Sequence, residues 1–338
     1  MATHTIAALG SHSALQILKG AKDEGFATIA ICKNGTEKPY ESFGVADKII
    51  SVESFKDILD IQDLLLAENT ILIPHASLIA YVGTDRLKDL RVPYYGNKAI
   101  LEWESDREME RKWLKSAKLK LPRIFNTPKE IDRPVIVKFH GAKGGKGYFL
   151  AKDEHDFSAK IKLHADKTKY VIQEYILGVH MYVHYFYSSL TGELEILGFD
   201  KRYESNVDSI GRISARDQMA LPEEKVDPSY VIVGNIPVVV RESFLPEMFA
   251  MGERVVAESK HIAPPGLFGP FCLETVMTPQ SEIVVFEISA RIVAGTNPYV
   301  NGSPYTWLKY NEPMSTGRRI AREIKLAIEQ DRLDEVLG

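Results

Sequence analysis

Short apolar runs alternate with amphipathic segments through the N-terminal part of the chain. Residues 5–9 form an apolar run that ends in a Gly-Ser-His-Ser turn, and helical spacing follows from Ala14 to Ala21. A second apolar run covers residues 26–32. A strand, a helix and a second strand in this order predict a βαβ unit with parallel pairing. The alternation continues through residues 45–51, 55–66 and 70–73 and predicts a small doubly wound domain.

A second α/β region follows this domain. Residues 105–108 match the S-x-x-E capping box, which predicts a helix start at Ser105. Strand-like runs begin at residue 134 and recur until Ile288, and a charged helix is predicted from about Thr316. We therefore predict an N-terminal α/β domain over residues 1–100 and a second domain over residues 101–338.

The composition argues against several classes of protein. The 338 residues exceed the usual size of one domain, and the formal net charge of -4 argues against non-specific nucleic-acid binding. No apolar run reaches the roughly 18 residues that span a bilayer, and the N-terminus lacks a signal-peptide pattern. Cys32 and Cys272 each lie in an apolar run, which is typical of buried reduced thiols. We expect a cytoplasmic protein that binds neither nucleic acid nor membrane.

A loop rich in glycine and lysine lies between two strand-like runs. The first run ends in Lys138, and residues 140–147 read HGAKGGKG. Glycine lets backbone N–H groups approach phosphate oxygens, and lysine adds mobile positive charge. The loop lacks the Gly-Lys-Ser/Thr ending of a Walker A motif, so a solvent-exposed hairpin is the alternative. Lys138 favours a phosphate site, because a lysine at the end of an apolar strand is seldom buried without a partner.

Three later glutamates are candidates for nucleoside and metal binding. Glu174 ends a strand-like run, where it can accept hydrogen bonds from a nucleoside, although a solvated glutamate is the alternative. Glu274 and Glu287 each interrupt an apolar run, where an unpaired carboxylate is costly. Adjacent antiparallel strands would bring these two together and favour a shared magnesium ion that also binds phosphates. An ion pair with Arg291 would explain one of them but not both, and Arg291 is otherwise a candidate clamp for a transferring phosphoryl group.

The order of phosphate loop, nucleoside-binding acid and carboxylate pair resembles the ATP-grasp superfamily, in which two α/β subdomains close on ATP. Segments along nearly the whole chain are also similar to the archaeal formate-dependent FAICAR synthetase family of purine biosynthesis. These segments cover residues 10–20, 103–107, 140–147, 202–208, 234–237, 269–274 and 286–297. The resemblance implies an α/β protein with an ATP-grasp fold preceded by the small doubly wound (Rossmann-like) domain.

This resemblance also implies a reaction. The family converts formate, ATP and AICAR, an aminoimidazole carboxamide ribonucleotide, to FAICAR, ADP and phosphate. Formate attacks the γ-phosphate of ATP to give formyl phosphate, and the 5-amino group of AICAR then takes the formyl group. The implied cofactors are ATP and Mg²⁺ or Mn²⁺, the implied substrates are AICAR and formate, and a homo-oligomer is expected.

The resemblance assigns roles to particular positions. The implied ATP-binding residues are Lys138, Gly141, Gly144, Gly145, Lys146, Gly147, Glu174, Tyr175, Ile176 and Glu204. Glu274 and Glu287 would hold the metal ion, and Arg291 would stabilise charge during transfer. The implied AICAR contacts are His12, Ser77, Asn235, Thr296 and Asn297. Without the resemblance, helix capping would explain His12 and a turn would explain Asn235.

Three other functions are compatible with parts of the pattern. An ATP-grasp ligase for another acid or amine would share the ATP site, and only His12, Asn235 and the 202–208 segment speak against it. A non-catalytic nucleotide sensor would not need both glutamates and Arg291. A dinucleotide-dependent oxidoreductase is disfavoured because the first turn lacks the required glycine spacing.

Overall fold

The computed structural model describes residues 4–139, 147–164, 169–204, 210–221 and 232–338. Its N-terminal part is a parallel sheet in the order β3-β2-β1-β4. The strands are β1 Thr5–Leu9, β2 Ala27–Lys33, β3 Lys48–Val52 and β4 Thr70–Leu72, and the helices are α1 Ala14–Asp23, α2 Lys38–Ser42, α3 Gln62–Ala67 and α4 Thr84–Leu87. The predicted βαβ unit is confirmed. The helix predicted over residues 55–66 is in two pieces, a 3-10 turn at Phe55–Leu59 and α3.

Two consecutive helices, α5 Lys98–Ser105 and α6 Arg107–Ser116, follow the parallel sheet. The predicted capping box at Ser105 is wrong, because Ser105 is the last residue of α5. Asp106 caps α6 instead, and its Oδ1 accepts hydrogen bonds of 2.9 Å from the backbone N–H groups of Glu108 and Met109.

A small antiparallel sheet comes next, in the order β5-β8-β6-β7. Its strands are β5 Ile124–Phe125, β6 Val135–Phe139, β7 Tyr148–Ala151 and β8 Tyr170–Glu174, with helix α7 Glu154–Ile161 beside them. Val135, Val137 and Phe157 belong to its separate small core. Lys138 is next to last in β6 and Glu174 is last in β8, and the antiparallel register places them at opposite ends of this strand pair.

A larger antiparallel sheet in the order β11-β10-β9-β12-β13 forms the centre of the C-terminal region. Its strands are β9 Val179–Tyr187, β10 Leu194–Glu204, β11 Ile232–Val238, β12 Gly269–Met277 and β13 Ile283–Ser289, and the associated helices are α8 Ala215–Ala220 and α9 Leu245–Ile262. Side chains of α9, including Met248 and Val255, pack with Trp113 of α6 against one face of this sheet.

The chain ends in α10 Pro304–Tyr310 and α11 Thr316–Glu329, and α11 packs on α1 of the N-terminal region. The predicted C-terminal helix is confirmed. The domain boundary between residues 100 and 101 stays a prediction. Among the described residues, no helix combines the length and the apolarity needed to cross a membrane.

Two glycines allow the close approach of α1 and α11. A methyl group on Gly20 would lie 2.2 Å from the backbone nitrogen of Arg318, and one on Gly317 would lie 2.2 Å from the carbonyl oxygen of Gln16. Both contacts are with backbone, which cannot rotate away as a flexible side chain can. The glycines therefore hold α1, and with it the turn before α1, against the C-terminal helix.

Gly20→Ala is expected to lower the free energy of unfolding by about 1–3 kcal/mol through overpacking. This loss should outweigh the usual helix-propensity gain of alanine over glycine, about 1 kcal/mol. Chemical denaturation measures it. Gly211→Ala is the matched control, because nothing in the described part of the chain lies within 4 Å of a methyl group at that position. Equal midpoints for the two variants would contradict the packing argument.

Candidate active site

One face of the five-stranded sheet carries mainly polar side chains. Residues directly opposite each other in neighbouring antiparallel strands point to the same face. Tyr182 lies opposite Asp200 on one side and Glu274 on the other. The register and the alternation of side chains along each strand define this polar face, which carries Tyr182, His184, Asp200, Arg202, Asn235, Glu274, Glu287 and Ser289.

The two glutamates predicted to come together do so. Glu274 and Glu287 are register partners in β12 and β13. Glu274 is 3% exposed, whereas Glu287 opens to solvent and has no ion-pair partner within 4 Å among the described residues. Desolvation by the surrounding protein and repulsion by the Glu274 carboxylate raise the pKa of Glu287, although the positive charge of Lys138 opposes the shift. The pair presents oxygen donors of the kind that a magnesium ion accepts.

Arg202 binds Glu274 from the neighbouring part of the polar face. Its Nη1 donates to Glu274 Oε2 at 2.9 Å, its Nη2 donates to Oε1, and its guanidinium carbon lies 3.8 Å from the centre of the Tyr182 ring. Burial disfavours the charged guanidinium. The attraction of the Glu274 carboxylate outweighs this effect of burial and raises the pKa of Arg202. No role for Arg202 was predicted individually. The signal in the sequence was the polar alternation of Asp200, Arg202 and Glu204 within one strand.

Arg291 does not pair with either of the two glutamates on the polar face. Its Nη2 lies 2.9 Å from Oε1 of Glu104 in α5, so the predicted alternative of an ion pair with Glu274 or Glu287 is wrong. Glu104 Oε2 also accepts a hydrogen bond of 2.9 Å from the backbone N–H of Ala290. A second carboxylate, Glu110 of α6, accepts one of 2.6 Å from the N–H of Ile288.

These two bonds explain how the edge strand β13 is held. Glu104 and Glu110 bind backbone N–H groups on both sides of Ser289, close to Glu287 in sequence. Burial and the charge of Glu287 raise the pKa of Glu110. Helices α5 and α6 therefore fix the backbone that presents Glu287, and the sequence pattern did not reveal this role.

Lys138 is the next-to-last residue of β6, and its charge interacts with both glutamates of the carboxylate pair. Its Nζ lies 5.7 Å from the centre of the Phe286 ring. Burial lowers the pKa of Lys138, and the negative charge of Glu287 partly offsets this. In the adjacent loop, Gly147 has φ +84°, and its carbonyl accepts a hydrogen bond of 3.1 Å from the N–H of Phe139. The remaining predicted loop residues, Gly141, Gly144, Gly145 and Lys146, lie outside the described residues.

Glu174, the predicted nucleoside-binding acid, ends β8 and already has two partners. It accepts hydrogen bonds from the backbone N–H of Arg123 at 3.1 Å and from Nη1 of Arg133 at 3.0 Å. Tyr175 donates its backbone N–H to Pro134 at 2.9 Å, and Ile176 is half-buried. Nucleoside binding by these residues stays a prediction. The side chain of Glu204 lies outside the described residues.

His12 and Ser77 lie at the carboxyl end of the parallel sheet. His12 follows β1 and has φ +50°. Burial lowers the pKa of His12, and the positive charges of Arg291 and Arg202 lower it further. The positive charges of Arg202 in β10 and of Arg291, which follows β13, therefore both act on His12. Ser77 Oγ donates to Ser11 Oγ at 2.9 Å in the turn before His12.

Thr296 and Asn297 join this turn to the segment after β13. Asn297 Nδ2 donates to the carbonyl oxygen of His12 at 3.2 Å. Gln16 of α1 donates to Thr296 Oγ1 at 2.6 Å and to Asn297 Oδ1 at 2.8 Å. Gln16 was missed because its partners are distant in sequence. The structure thus brings four of the predicted AICAR contacts to one junction: His12, Ser77, Thr296 and Asn297.

Asn235, the fifth predicted contact, lies on the polar face opposite Arg202. Its Nδ2 donates to Asp200 Oδ2 at 2.7 Å. Asn235 is therefore a strand residue, and the alternative that it is only a turn residue is wrong. Because Arg202 also binds Glu274, the predicted substrate and metal residues are neighbours on one face.

Comparisons with known proteins agree with this architecture. Residues 6–125 match a family described as "Protein of unknown function (DUF1246)", and residues 151–338 match "Domain of unknown function (DUF1297)". A 5-formaminoimidazole-4-carboxamide-1-(beta)-D-ribofuranosyl 5'-monophosphate synthetase from Pyrococcus abyssi is 57% identical and covers 98% of each chain. The protein of that name from Methanocaldococcus jannaschii is 49% identical over 99% of this chain and 95% of its own.

Solved structures show the same fold. An IMP biosynthesis protein PurP from Thermococcus kodakaraensis has a TM-score of 0.79 at 31% identity, covering 98% of this chain and 100% of that one. The ADP complex of purK, N5-carboxyaminoimidazole ribonucleotide synthetase, has a TM-score of 0.69 at 15% identity, covering 95% and 76% of the two chains. The latter likeness concerns the fold alone.

The doubly wound domain, the two antiparallel sheets and the carboxylate pair on neighbouring strands define an ATP-grasp protein. This confirms the predicted fold class. Within that class, the chain belongs to the FAICAR synthetase (5-formaminoimidazole-4-carboxamide ribonucleotide synthetase) family.

Proposed function

We propose that this protein is an ATP-dependent ligase that formylates the 5-amino group of AICAR with formate and yields FAICAR, ADP and phosphate. Arg202 is the observation that carries the proposal. It binds Glu274 of the carboxylate pair and lies opposite Asn235, a predicted AICAR contact. A ligase that forms an acyl phosphate and passes it to an amine needs these two functions side by side.

In the first step, a formate oxygen attacks the γ-phosphorus of ATP, and the bond from that phosphorus to ADP breaks. Glu274 and Glu287 would hold the magnesium or manganese ion, since both offer hard oxygen donors in register. When bound, the ion would neutralise charge on the ATP phosphates. Lys138, whose charge interacts with Glu287, is proposed to bind a phosphate oxygen. Glu174, Tyr175, Ile176 and Glu204 are proposed to hold the nucleoside.

In the second step, the 5-amino nitrogen of AICAR attacks the formyl carbon. The bond from that carbon to the phosphate oxygen breaks, and the proton lost by nitrogen leaves with the phosphate. Arg291 is held by Glu104 and contributes positive charge near His12. We propose that Arg291 stabilises the negative charge that develops during transfer. No protein nucleophile is required.

The decisive test measures ADP release with AICAR and Mg²⁺, with and without formate. We expect turnover only with formate, and carbon-labelled formate should leave its label in the formylated product. Release of ADP that does not depend on formate would overturn the formate assignment and favour an ATP-grasp ligase for another acid. No ADP release with any acid, despite ATP binding, would instead favour a nucleotide sensor.

The cellular setting of the enzyme is part of the same proposal. We expect it to act in the cytoplasm as a homo-oligomer. Size-exclusion chromatography with light scattering gives the mass in solution, and a monomer at assay concentration would overturn the oligomer expectation.

A further inference from the structure

A buried cluster of hydrogen-bonding groups lies behind Asn235 on the polar face. Asp200 of β10 is 1% exposed and His184 of β9 is 2% exposed. Asp200 Oδ1 lies 2.8 Å from Nε2 of His184, and its Oδ2 lies 2.7 Å from Nδ2 of Asn235. None of the predicted roles in ATP, metal or AICAR binding accounts for His184 or Asp200.

The chemistry of this cluster determines the orientation of the Asn235 amide. An ionised carboxylate accepts hydrogen bonds and donates none, so both of its neighbours must donate. His184 therefore presents Nε2–H to Asp200, and Asn235 presents its amide N–H. The carbonyl oxygen of Asn235 is turned away from Asp200, and no described residue donates a hydrogen bond to it.

The rest of the cluster is packed too closely to rearrange easily. A methyl group on Gly295 would lie 2.3 Å from Asp200 Oδ1 and 2.8 Å from Cε1 of His184. The glycine thus lets the turn that carries Thr296 press directly on the Asp200–His184 pair. Two predicted AICAR-binding segments, β11 and this turn, consequently meet at the same carboxylate.

We propose that Asp200, held by His184, is a positioning residue that fixes the Asn235 amide with its carbonyl oxygen toward the amine substrate. That oxygen then accepts a hydrogen bond from an N–H group of the aminoimidazole carboxamide. The site in this way selects a substrate that offers a hydrogen-bond donor at this point. The inference rests on the proposed function and adds a specificity determinant to it.

Asp200→Asn tests the proposal because it permits a simple rearrangement. The new amide oxygen accepts from Nε2–H of His184, and its N–H₂ group faces Asn235. While His184 keeps its proton on Nε2, Asn235 turns its own oxygen toward residue 200 and its N–H₂ toward the substrate. Both hydrogen bonds of residue 200 are kept, yet a donor of Asn235 now faces a donor on AICAR.

We expect Asp200→Asn to weaken AICAR binding by about tenfold or more. The substitution removes the hydrogen bond between Asn235 and AICAR and brings the N–H₂ group of Asn235 against an N–H group of the substrate. Titration calorimetry with AICAR measures the dissociation constant. MgADP binding and the unfolding midpoint should change little. A general packing defect would instead lower the midpoint and weaken MgADP binding as well. An AICAR dissociation constant within twofold of the wild-type value would overturn the proposal.

The swapped variant Asp200→Asn/Asn235→Asp gives an independent test. Asn235→Asp alone places two carboxylates against each other and should also weaken AICAR binding. In the double variant, the amide at 200 accepts from His184 and donates to the carboxylate at 235, whose second oxygen faces the substrate as an acceptor. The double variant should bind AICAR more tightly than either single variant, and strictly additive losses would overturn the proposal.

The wild-type titration separates the two hypotheses. If the wild type fails to bind AICAR while it binds MgADP, the proposed function fails. If the wild type binds AICAR and all variants bind it equally well, only the positioning role of Asp200 fails.

Discussion

Replacing Glu287 with glutamine is expected to reduce formate-dependent ADP release by at least about 100-fold, the scale seen when metal-site or transition-state contacts are removed. Glu287 lies opposite Glu274, so the two together supply the negative charge proposed for the metal site. Glutamine keeps the length of the side chain but replaces one acceptor oxygen with an N–H₂ donor, which repels a cation. The fold should survive, because Glu287 is open to solvent. Steady-state ADP release at saturating substrates, with a circular dichroism spectrum, checks both expectations.

The matched control for this prediction is Glu282→Gln. Glu282 lies at the other end of the same hairpin, is 52% exposed and pairs with Lys120 at 2.5 Å on the surface. The two variants make the same chemical change, and only Glu287 is proposed to bind the metal. Glu282→Gln should keep wild-type activity. If Glu287→Gln keeps more than about a third of the wild-type activity, the substitution has only a minor effect on the transfer step. Glu287 is then not a metal ligand.

The carboxylate pair could be predicted from the sequence because its signal is local. Glu274 and Glu287 each interrupt an apolar run, and the two runs are separated by a short polar segment. Such a pattern predicts a hairpin, and a hairpin places facing residues on one side of the sheet. The same reasoning correctly predicted β1, α1 and β2, where periodicity within a few residues determines the element.

Arg202 and Asp200 could not be assigned in this way. Their partners lie on strands whose order in the sheet is β11-β10-β9-β12-β13, which differs from chain order. Arg202 reaches past Tyr182 of the intervening strand to bind Glu274. Nothing in the local pattern of β10 indicates that β9 separates it from β12, so the alternation of polar residues shows a polar face but not its contacts.

Errors also arose where two local signals competed. Ser105 and Asp106 are both good N-cap residues, and the structure uses the carboxylate of Asp106 because α5 still includes Ser105. An ion pair of Arg291 with Glu274 or Glu287 was the alternative to its role as a clamp for the transferring phosphoryl group. Its partner, Glu104, comes from a helix far earlier in the chain. An ion pair of this kind depends on tertiary packing, which periodicity does not encode.

Arg202→Met is expected to lower the free energy of unfolding by about 3 kcal/mol in the absence of metal, the lower end of the cost of breaking a buried ion pair. The Glu274 side chain is 4% exposed, and without Arg202 its nearest described donor is Ser289 Oγ at 3.5 Å. The carboxylate would then face Glu287 without a compensating charge. Methionine preserves apolar contact with Tyr182, so the loss should report on charge. Chemical denaturation with a chelator present measures it.

Two comparisons show whether the unpaired charge causes this loss. Arg254→Met removes an exposed ion pair with Glu247, at 2.9 Å, and should cost no more than about 1 kcal/mol. Arg202→Met/Glu274→Gln removes both charges and should be more stable than Arg202→Met alone. Magnesium without nucleotide should stabilise Arg202→Met more than the wild type, because a cation between the glutamates replaces the lost charge. If Arg202→Met costs no more than Arg254→Met and gains nothing from magnesium, the ion pair does not hold Glu274 in place.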